Sequence, residues 1–368
     1  MHVLMTADTL GGVWTYTREL VTVLSGRGIK VTLVSFGEIA SGAQSAWLED
    51  LSGVSYYPTA FRLEWMQDAQ PDLEQSADFI RALIAETKPD LLHLSQFFHG
   101  AIKVDLPRII VAHSDVVSWW VSVHGAEPPD SEWIRQYRGN VMAGLAGADL
   151  VVAPTRWMLD QICRHYGEPK RKAVVYNGRD PQLFSPQVEK EDYAISVGRL
   201  WDAGKQATLL LRDDLPLKTI LVGPEQSPEG IIAYAKSMGR LPNLQIMAPQ
   251  AEPQLRELFA RASLYVATSR YEPFGLAPLE AALSRCALVA NDIPTLRELW
   301  GEDAIYFERN NPHSLVLTIQ ELASNPSQRS EYAGRVLARA RRQFNSERMA
   351  EDYLQLYRSL VPAEVLAA

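Results

Sequence analysis

The chain has 368 residues, 47 % of them apolar and 22 % charged, with a formal net charge of −8. Such a length fits two domains, and such a composition supports cores that need no staples. The acidic balance excludes a general nucleic-acid binder, whose footprint is basic. Two cysteines, Cys163 and Cys286, stand in no metal spacing and are too few for a disulfide framework. A reducing, cytoplasmic setting is expected on that ground. A strand pattern begins at residue 2, so no leader is expected, and no apolar run reaches the length of a membrane span.

In chain order the β-rich runs are HVLMTA (2–7), KVTLVSF (30–36), GVSYYP (53–58), DLLHLS (90–95), RIIVAHS (108–114), DLVVAPT (149–155) and AVVYN (173–177). A second series follows: YAISVG (193–198), KTILVG (218–223), NLQIMAP (243–249), LYVATS (264–269), ALVAND (287–292) and AIYF (304–307). Many are continuous apolar runs, as strands covered on both faces should be. Helical patterns such as TYTRELVTVLSGRG and QLRELFARA lie between them. Strand–helix alternation predicts an α/β chain with parallel sheets. GRDPQLFSPQVEKED (178–192) is charged, holds two prolines and lacks apolar periodicity, so it reads as a linker. Two Rossmann-like domains are therefore expected, 1–180 and 185–344. The amphipathic pattern near the carboxyl end (345–362) can pack on either. GEPKRK (167–172) and RVLARARRQF (335–344) are basic. They read as solvated surface, with docking on an anionic membrane face or acceptor as the competing reading.

Open parallel sheets bind ligands beyond the carboxyl ends of their strands, so the residues there matter most. Gly11 and Gly12 follow the first strand at a helix entrance, where backbone N–H groups can meet an anion. A plain tight turn is the other reading. His113 ends the fifth strand and can hydrogen-bond a sugar hydroxyl or act structurally. Trp119, Trp120 and His124 follow. The two rings suit a sugar-stacking platform, a lid for the cleft or, for at least one of them, core packing. SVGRLWDAGK offers Arg199 and Lys205, a planar fork and a mobile point charge that together suit a diphosphate. Solvent-facing cations are the alternative. YEPFGLAPLE places Glu272 in a strand-to-helix loop and Glu280 about a turn into the helix, with Pro278 tolerable in the first turn. Between the acids, the N–H groups near Phe274, Gly275 and Leu276 form an anion pocket. Carboxylates accept from hydroxyls. A diphosphate flanked by hydroxyl-bearing groups, as in a nucleotide sugar, fits the pattern.

Together these residues resemble the retaining glycosyltransferases of family 4, which have the GT-B fold. The resemblance covers nearly the whole chain. The family's E-x7-E motif is Glu272 to Glu280. Its Gly-Arg and following Lys are Gly198, Arg199 and Lys205. Its hinge Asn-Gly is Asn177–Gly178, and its glycine loop is Gly11–Gly12. The resemblance implies GT-B architecture: two Rossmann-like domains with parallel sheets facing across a cleft, and the last helix crossing back to the first. It implies transfer of a sugar from a nucleotide-diphosphate sugar to an acceptor hydroxyl, with retained configuration and no metal or other cofactor. His113, Arg199, Lys205 and Glu272 would be catalytic. Gly11, Gly12, Gly198, Arg199, Lys205, Glu272, Phe274, Gly275, Leu276 and Glu280 would bind the donor, with Glu280 on the ribose. Trp119, Trp120 and His124 would face the acceptor, which can be a sugar, a lipid-linked or a small molecule. No nucleic acid is implied. The setting is cytoplasmic, with peripheral contact to the inner membrane face left open.

The chain departs from the family pattern at three places. Gln206 stands where Gly often follows the lysine. Arg285 and Ala287 stand for a Gly and a Pro. Ile293-Pro294-Thr295 replaces a Gly-Gly. These changes bear on the donor base and sugar. The competing readings are a nucleotide-sugar 2-epimerase of the same fold, a glycan phosphorylase, for which the chain is short, and a non-catalytic nucleotide-sugar-binding protein. A dinucleotide-dependent dehydrogenase is disfavoured, because no GxGxxG with a following acid is present.

Overall fold

The structure is a computed structural model and describes residues 1–227, 230 and 241–362. The chain forms two compact units. One comprises Met1–Val121, Ala126–Gly178 and the residues from Ser346 on. The other comprises Arg179–Asn345 with Ser122–Gly125.

Each of the thirteen β-rich runs carries a strand. In the first unit these are β1 His2–Asp8, β2 Lys30–Phe36, β3 Val54–Pro58, β4 Leu91–Leu94, β5 Arg108–Val111, β6 Leu150–Ala153 and β7 Lys172–Val174. In the second they are β8 Glu191–Val197, β9 Lys218–Val222, β10 Leu244–Met247, β11 Ala262–Ala267, β12 Ala287–Asn291 and β13 Ile305–Phe307. The sheet orders are β3-β2-β1-β4-β5-β6-β7 and β10-β9-β8-β11-β12-β13. Every pairing is parallel. The order reverses between β1 and β4 in one sheet and between β8 and β11 in the other. Those switch points are where doubly wound sheets open a crevice.

Alternate residues of the buried strands serve opposite layers. Val3, Met5 and Ala7 of β1 pack with Leu20 and Leu24 of the helix Gly12–Gly26 and with Tyr353 and Tyr357 of the helix Ser346–Arg358. Leu4, between them, joins the other layer with Ile80 and Val141 of the helices Gln70–Thr87 and Glu132–Gly147. The helix after the second unit thus packs in the core of the first. In the second unit Leu264, Val266 and Val289 pack with Leu315 and Ile319 of the helix Pro312–Ser324.

One reading of a charged segment is corrected. The stretch 178–192 is more than a linker. Arg179 is 1 % exposed, Phe184 is buried, and β8 already begins at Glu191. Buried ion-pair partners distant in sequence produce this, and no local pattern announces them. RVLARARRQF lies in the helix Pro326–Gln343, which buries Val336 and Ala340. Its arginines are at the surface or partly so: Arg335 and Arg339 pair with Asp303, each at 3.2 Å, and Arg341 and Arg342 are exposed. In GEPKRK, Lys172 pairs with Glu168 at 2.6 Å.

Histidines inside the first unit make it sensitive to acid. His93 and His99 are fully buried, and desolvation brings each from an ordinary 6.5 down to about 3. Below 6.5 the unfolded chain takes up protons that the folded chain refuses. Stability present above 6.5 is therefore lost progressively as pH falls toward 3. His99 sits among the rings of Phe36 and Phe98. Whatever its effect at pH 7.5, His99→Phe should narrow the loss of unfolding free energy between pH 7.5 and 5 by about 2 kcal/mol. Urea denaturation at the two pH values reads this. An unchanged loss would show that His99 titrates normally in the fold.

Candidate functional site

The loops after β8 and β11 leave neighbouring parallel strands at the switch point, so they meet. After β8 the chain turns tightly through Arg199–Lys205. Asp202 organises the turn. Its Oδ1 accepts from Gly204 N–H at 2.8 Å, its Oδ2 holds Arg199 Nη2 at 2.6 Å, and its carbonyl accepts from Lys205 N–H at 2.9 Å. The Arg199 guanidinium lies 5.3 Å from the Trp201 ring centroid. Hydrogen bonds to its carbonyls join this turn to the next loop. Arg270 and Tyr271 N–H reach Gly204 O at 2.9 and 3.3 Å, and Thr268 Oγ1 donates to Lys205 O at 2.7 Å. Asn291, the last residue of β12, donates to the carbonyls of Thr268 and Ser269 at 3.3 and 3.1 Å.

This stitching delivers Lys205 Nζ to Glu272, 2.9 Å from Oε1 and 2.6 Å from Oε2. Ser269 Oγ donates to Glu272 Oε2 at 2.9 Å. Glu272 is 7 % exposed. The Lys205 stem runs over Gly198, 3.5 Å from where a Cβ there would lie. Gly198 in turn is backed by Gly223, where a Cβ would fall 1.8 Å from Gly198 O. Only glycine fits that approach. Gly275 is the second constrained position. It has φ 91°, and a Cβ would lie 3.1 Å from both Glu272 Cγ and Pro278 Cγ. The helix Leu276–Leu283 starts there, so the first-turn N–H groups of Leu276 and its neighbour open beside Glu272. The Phe274 ring is buried edge-on against Phe344, with centroids 5.6 Å apart, so its backbone is what it offers the loop. Glu280, one turn in, has its Oε1 3.1 Å from Arg179 Nε, and its side chain is 13 % exposed.

Two departures from the family pattern fall at positive-φ positions. Gln206 has φ 51° and ψ 39°, and Arg285 has φ 64°. Both hold the left-handed conformation for which glycine is suited. At the third, Pro294 opens the helix Pro294–Trp300, and Ile293 and Thr295 are buried. Arg297 grips Asp292 with two bonds, of 2.7 and 2.8 Å.

In the first unit Gly11 (φ 77°) precedes the helix that Gly12 opens. His113 follows β5, half-buried. Its Nε2 is 3.5 Å from Ser95 Oγ, and its ring meets Tyr16 edge-on at 4.6 Å. Burial lowers it to about 3, so it is neutral. Behind it, His93 bridges the hydroxyls of Tyr16 and Tyr357 at 3.1 and 2.7 Å. Sequence reading missed this chain, and it missed a carboxyl pair at the end of β1. Burial and then neighbouring Glu64 raise Asp8 to about 8. Burial raises Glu64 to about 7, against bonds of 3.0 Å from Phe97 and Phe98 N–H. Trp119 and Trp120 lie half-buried in the helix Val116–His124, rings edge to face at 6.2 Å, and exposed His124 ends that helix. Thus Gly198, Arg199, Lys205, Glu272, Phe274, Gly275, Leu276 and Glu280 belong to the second unit. Gly11, Gly12, His113, Trp119 and Trp120 belong to the first. Residue 124 falls in the short stretch grouped with the second. Among the described residues no three His, Cys, Asp or Glu cluster as metal ligands would, and no helix is long and apolar enough to cross a membrane.

Two doubly wound units, with cations and carboxylates gathered at one switch point, define a GT-B glycosyltransferase, a transferase enzyme. The sequence profile of Glycosyltransferase Family 4 matches residues 10–183, and that of Glycosyl transferases group 1 matches residues 182–337. The chain belongs to the family 4, group 1 glycosyltransferases. Among its relatives, the alpha-maltose-1-phosphate synthase of Mycolicibacterium smegmatis is 23 % identical over 303 residues, 73 % of this chain and 76 % of that protein. The D-inositol 3-phosphate glycosyltransferase of Segniliparus rotundus is 23 % identical over 97 % of this chain and 86 % of its own length. The sucrose-phosphate synthase structure from Thermosynechococcus elongatus superposes with a TM-score of 0.80 at 16 % identity, covering 98 % of this chain and 99 % of that one. Anabaena HepE in complex with UDP-glucose gives 0.75 at 18 %, covering 98 % and 100 %. At such identities these two likenesses show the fold.

Two substitutions test the backbone argument. Arg285 is exposed, so Arg285→Gly should raise stability by about 0.5–1 kcal/mol through relief of the left-handed φ. Gly223→Ala should cost about 3 kcal/mol, because a methyl meets a backbone oxygen there. Chemical denaturation measures both, and a neutral Gly223→Ala would refute the close approach.

Proposed function

We propose that the chain transfers a sugar from a nucleoside-diphosphate sugar to an acceptor hydroxyl, with retention of configuration and without a metal. The observation that carries the reading is the Lys205–Glu272 pair set beside Arg199 and a helix start at the β8/β11 switch point. Lys205 and Glu272 satisfy each other at 2.6 Å. A diphosphate competes for the lysine, and donor-sugar hydroxyls then satisfy the carboxylate. Binding thus exchanges one charge-assisted set for another rather than leaving a charge bare. Arg199 and Lys205 stabilise the departing diphosphate, the largest catalytic contribution in this reading. Glu280 accepts from the ribose hydroxyls. The leaving phosphate takes the acceptor's proton as the acceptor attacks the same face of the sugar. His113, uncharged through the neutral range, suits a hydrogen bond to a sugar hydroxyl rather than the binding of a phosphate. The setting proposed is cytoplasmic. HepE structures hold UDP and UDP-glucose, and the named relatives include synthases and transferases of phosphorylated sugars and inositols, which supports such a donor and a polyol or sugar acceptor.

The test is thermal stability against UDP, GDP, ADP and their sugar conjugates, with and without EDTA. One nucleotide class should raise the melting temperature, by mass action on the folded state, and EDTA should leave the shift intact. A shift abolished by EDTA removes metal independence, and no shift from any of them removes the donor assignment. With the donor so found, Lys205→Ala should lower turnover about 100- to 1,000-fold while the fold persists. A folded variant at the wild-type rate would take the lysine out of the mechanism.

A further inference from the structure

The chain passes from the first unit to the second between Gly178 and Arg179 and returns between Asn345 and Ser346. The two passages are bonded to each other. Arg179 N–H donates to Phe344 O at 3.0 Å, and Arg179 forms an isolated parallel bridge with Asn345. The backbone of Arg179 is therefore fixed from two directions. Its side chain is 1 % exposed and branches to two acids. Nη2 is 2.7 Å from Glu252 Oε1, and Nε is 3.1 Å from Glu280 Oε1. The guanidinium also lies 5.4 Å from the Phe184 ring centroid. Glu252 opens the helix Glu252–Arg261, whose dipole favours an acid at that end. It is thus a second anchor for the guanidinium.

A guanidinium cannot shed its proton, so one this buried is stable only while its carboxylate partners stay ionised and in place. The constraint works in both directions. Glu252 and the chain passage hold the guanidinium in place, and the Glu280 carboxylate packs against it as an ion pair, with Oε1 3.1 Å from Nε. A lysine could serve only one acid at a time and would leave Glu280 to rotate.

We propose that Arg179 is a positioning residue for the donor nucleotide: it orients Glu280, and through it sets the preference for an intact ribose diol. This rests on the reading of Glu280 as the ribose acceptor. The same residue belongs to the chain passage, so its backbone and its side chain fix the passage and the ribose-binding carboxylate as one piece.

The experiment compares affinities on the full chain by calorimetry. The probes are whichever of UDP, GDP and ADP binds tightest, and its 2′,3′-dideoxy analogue. Hydrogen bonds to a charged group predict that the wild-type chain prefers the ribonucleotide by about 10- to 100-fold. Glu280→Gln should remove most of that preference. Arg179→Lys should do so too, through weaker ribonucleotide binding, with the dideoxy affinity unchanged within about twofold. Glu252→Gln alters a side chain about a third exposed and should fold. It should lower the preference to an intermediate value. A folded Arg179→Lys chain with the full preference overturns the proposal. Should that variant fail to fold, an undiminished preference in Glu252→Gln overturns it instead. Absence of any preference in the wild-type chain, or its persistence in Glu280→Gln, marks failure of the ribose reading itself, and the positioning role falls with it.

Discussion

The pairing of β8 with β11 is the constraint on which the geometry of the candidate site depends. These strands are 70 residues apart at the Ser263–Tyr193 contact, yet they are neighbours in the sheet, and parallel. Parallel neighbours deliver their following loops to the same edge. The loop ending in Lys205 and the loop carrying Glu272 are then close enough for hydrogen bonds to the carbonyls of Gly204 and Lys205 to join them. The charge pair is the outcome of that joining. Three glycines with different tasks support it. Gly198 underlies the lysine stem, Gly223 lets a third strand end approach, and Gly275 lets the loop close beside Glu272.

The first unit repeats the architecture with different chemistry. At its switch point stand Asp8, Gln96 and Glu64, linked by bonds of 3.5 and 3.2 Å, and beyond them neutral His113. The second unit gathers cations and acids that pair. The first gathers groups whose burial favours the neutral form, with both carboxyls raised and the histidines lowered. The two sheet edges thus differ in charge chemistry, although both arise from the same winding of strands and helices.

Much of this was legible in the sequence. The strands could be found because a parallel strand covered on both faces needs a continuous apolar run, as in LVVA and ALVAN. The acids and cations could be found because their order and spacing recur in a family. What stayed hidden depends on partners distant along the chain. Arg179 sits among charges that suggest solvent, and its partner Glu252 is 73 residues away. Asp8 and Glu64 differ from surface acids only by burial. At two of the replaced glycines the sequence shows the change and the structure its setting: Gln206 and Arg285 hold a left-handed φ, which glycine tolerates best.

The helix Ser346–Arg358 supplies Met349, Tyr353, Leu354 and Tyr357 to the core around β1, and Tyr357 hydrogen-bonds His93 inside it. These residues leave the ribosome after the whole of Arg179–Asn345. The second unit, apart from the short stretch 122–125, is continuous in sequence and has all its strands before that point. The order of completion during synthesis is therefore inverted relative to the common amino-to-carboxyl progression. The unit that begins the chain remains open along the layer facing the helix Gly12–Gly26 until the last helix arrives, and it is the last of the two to close.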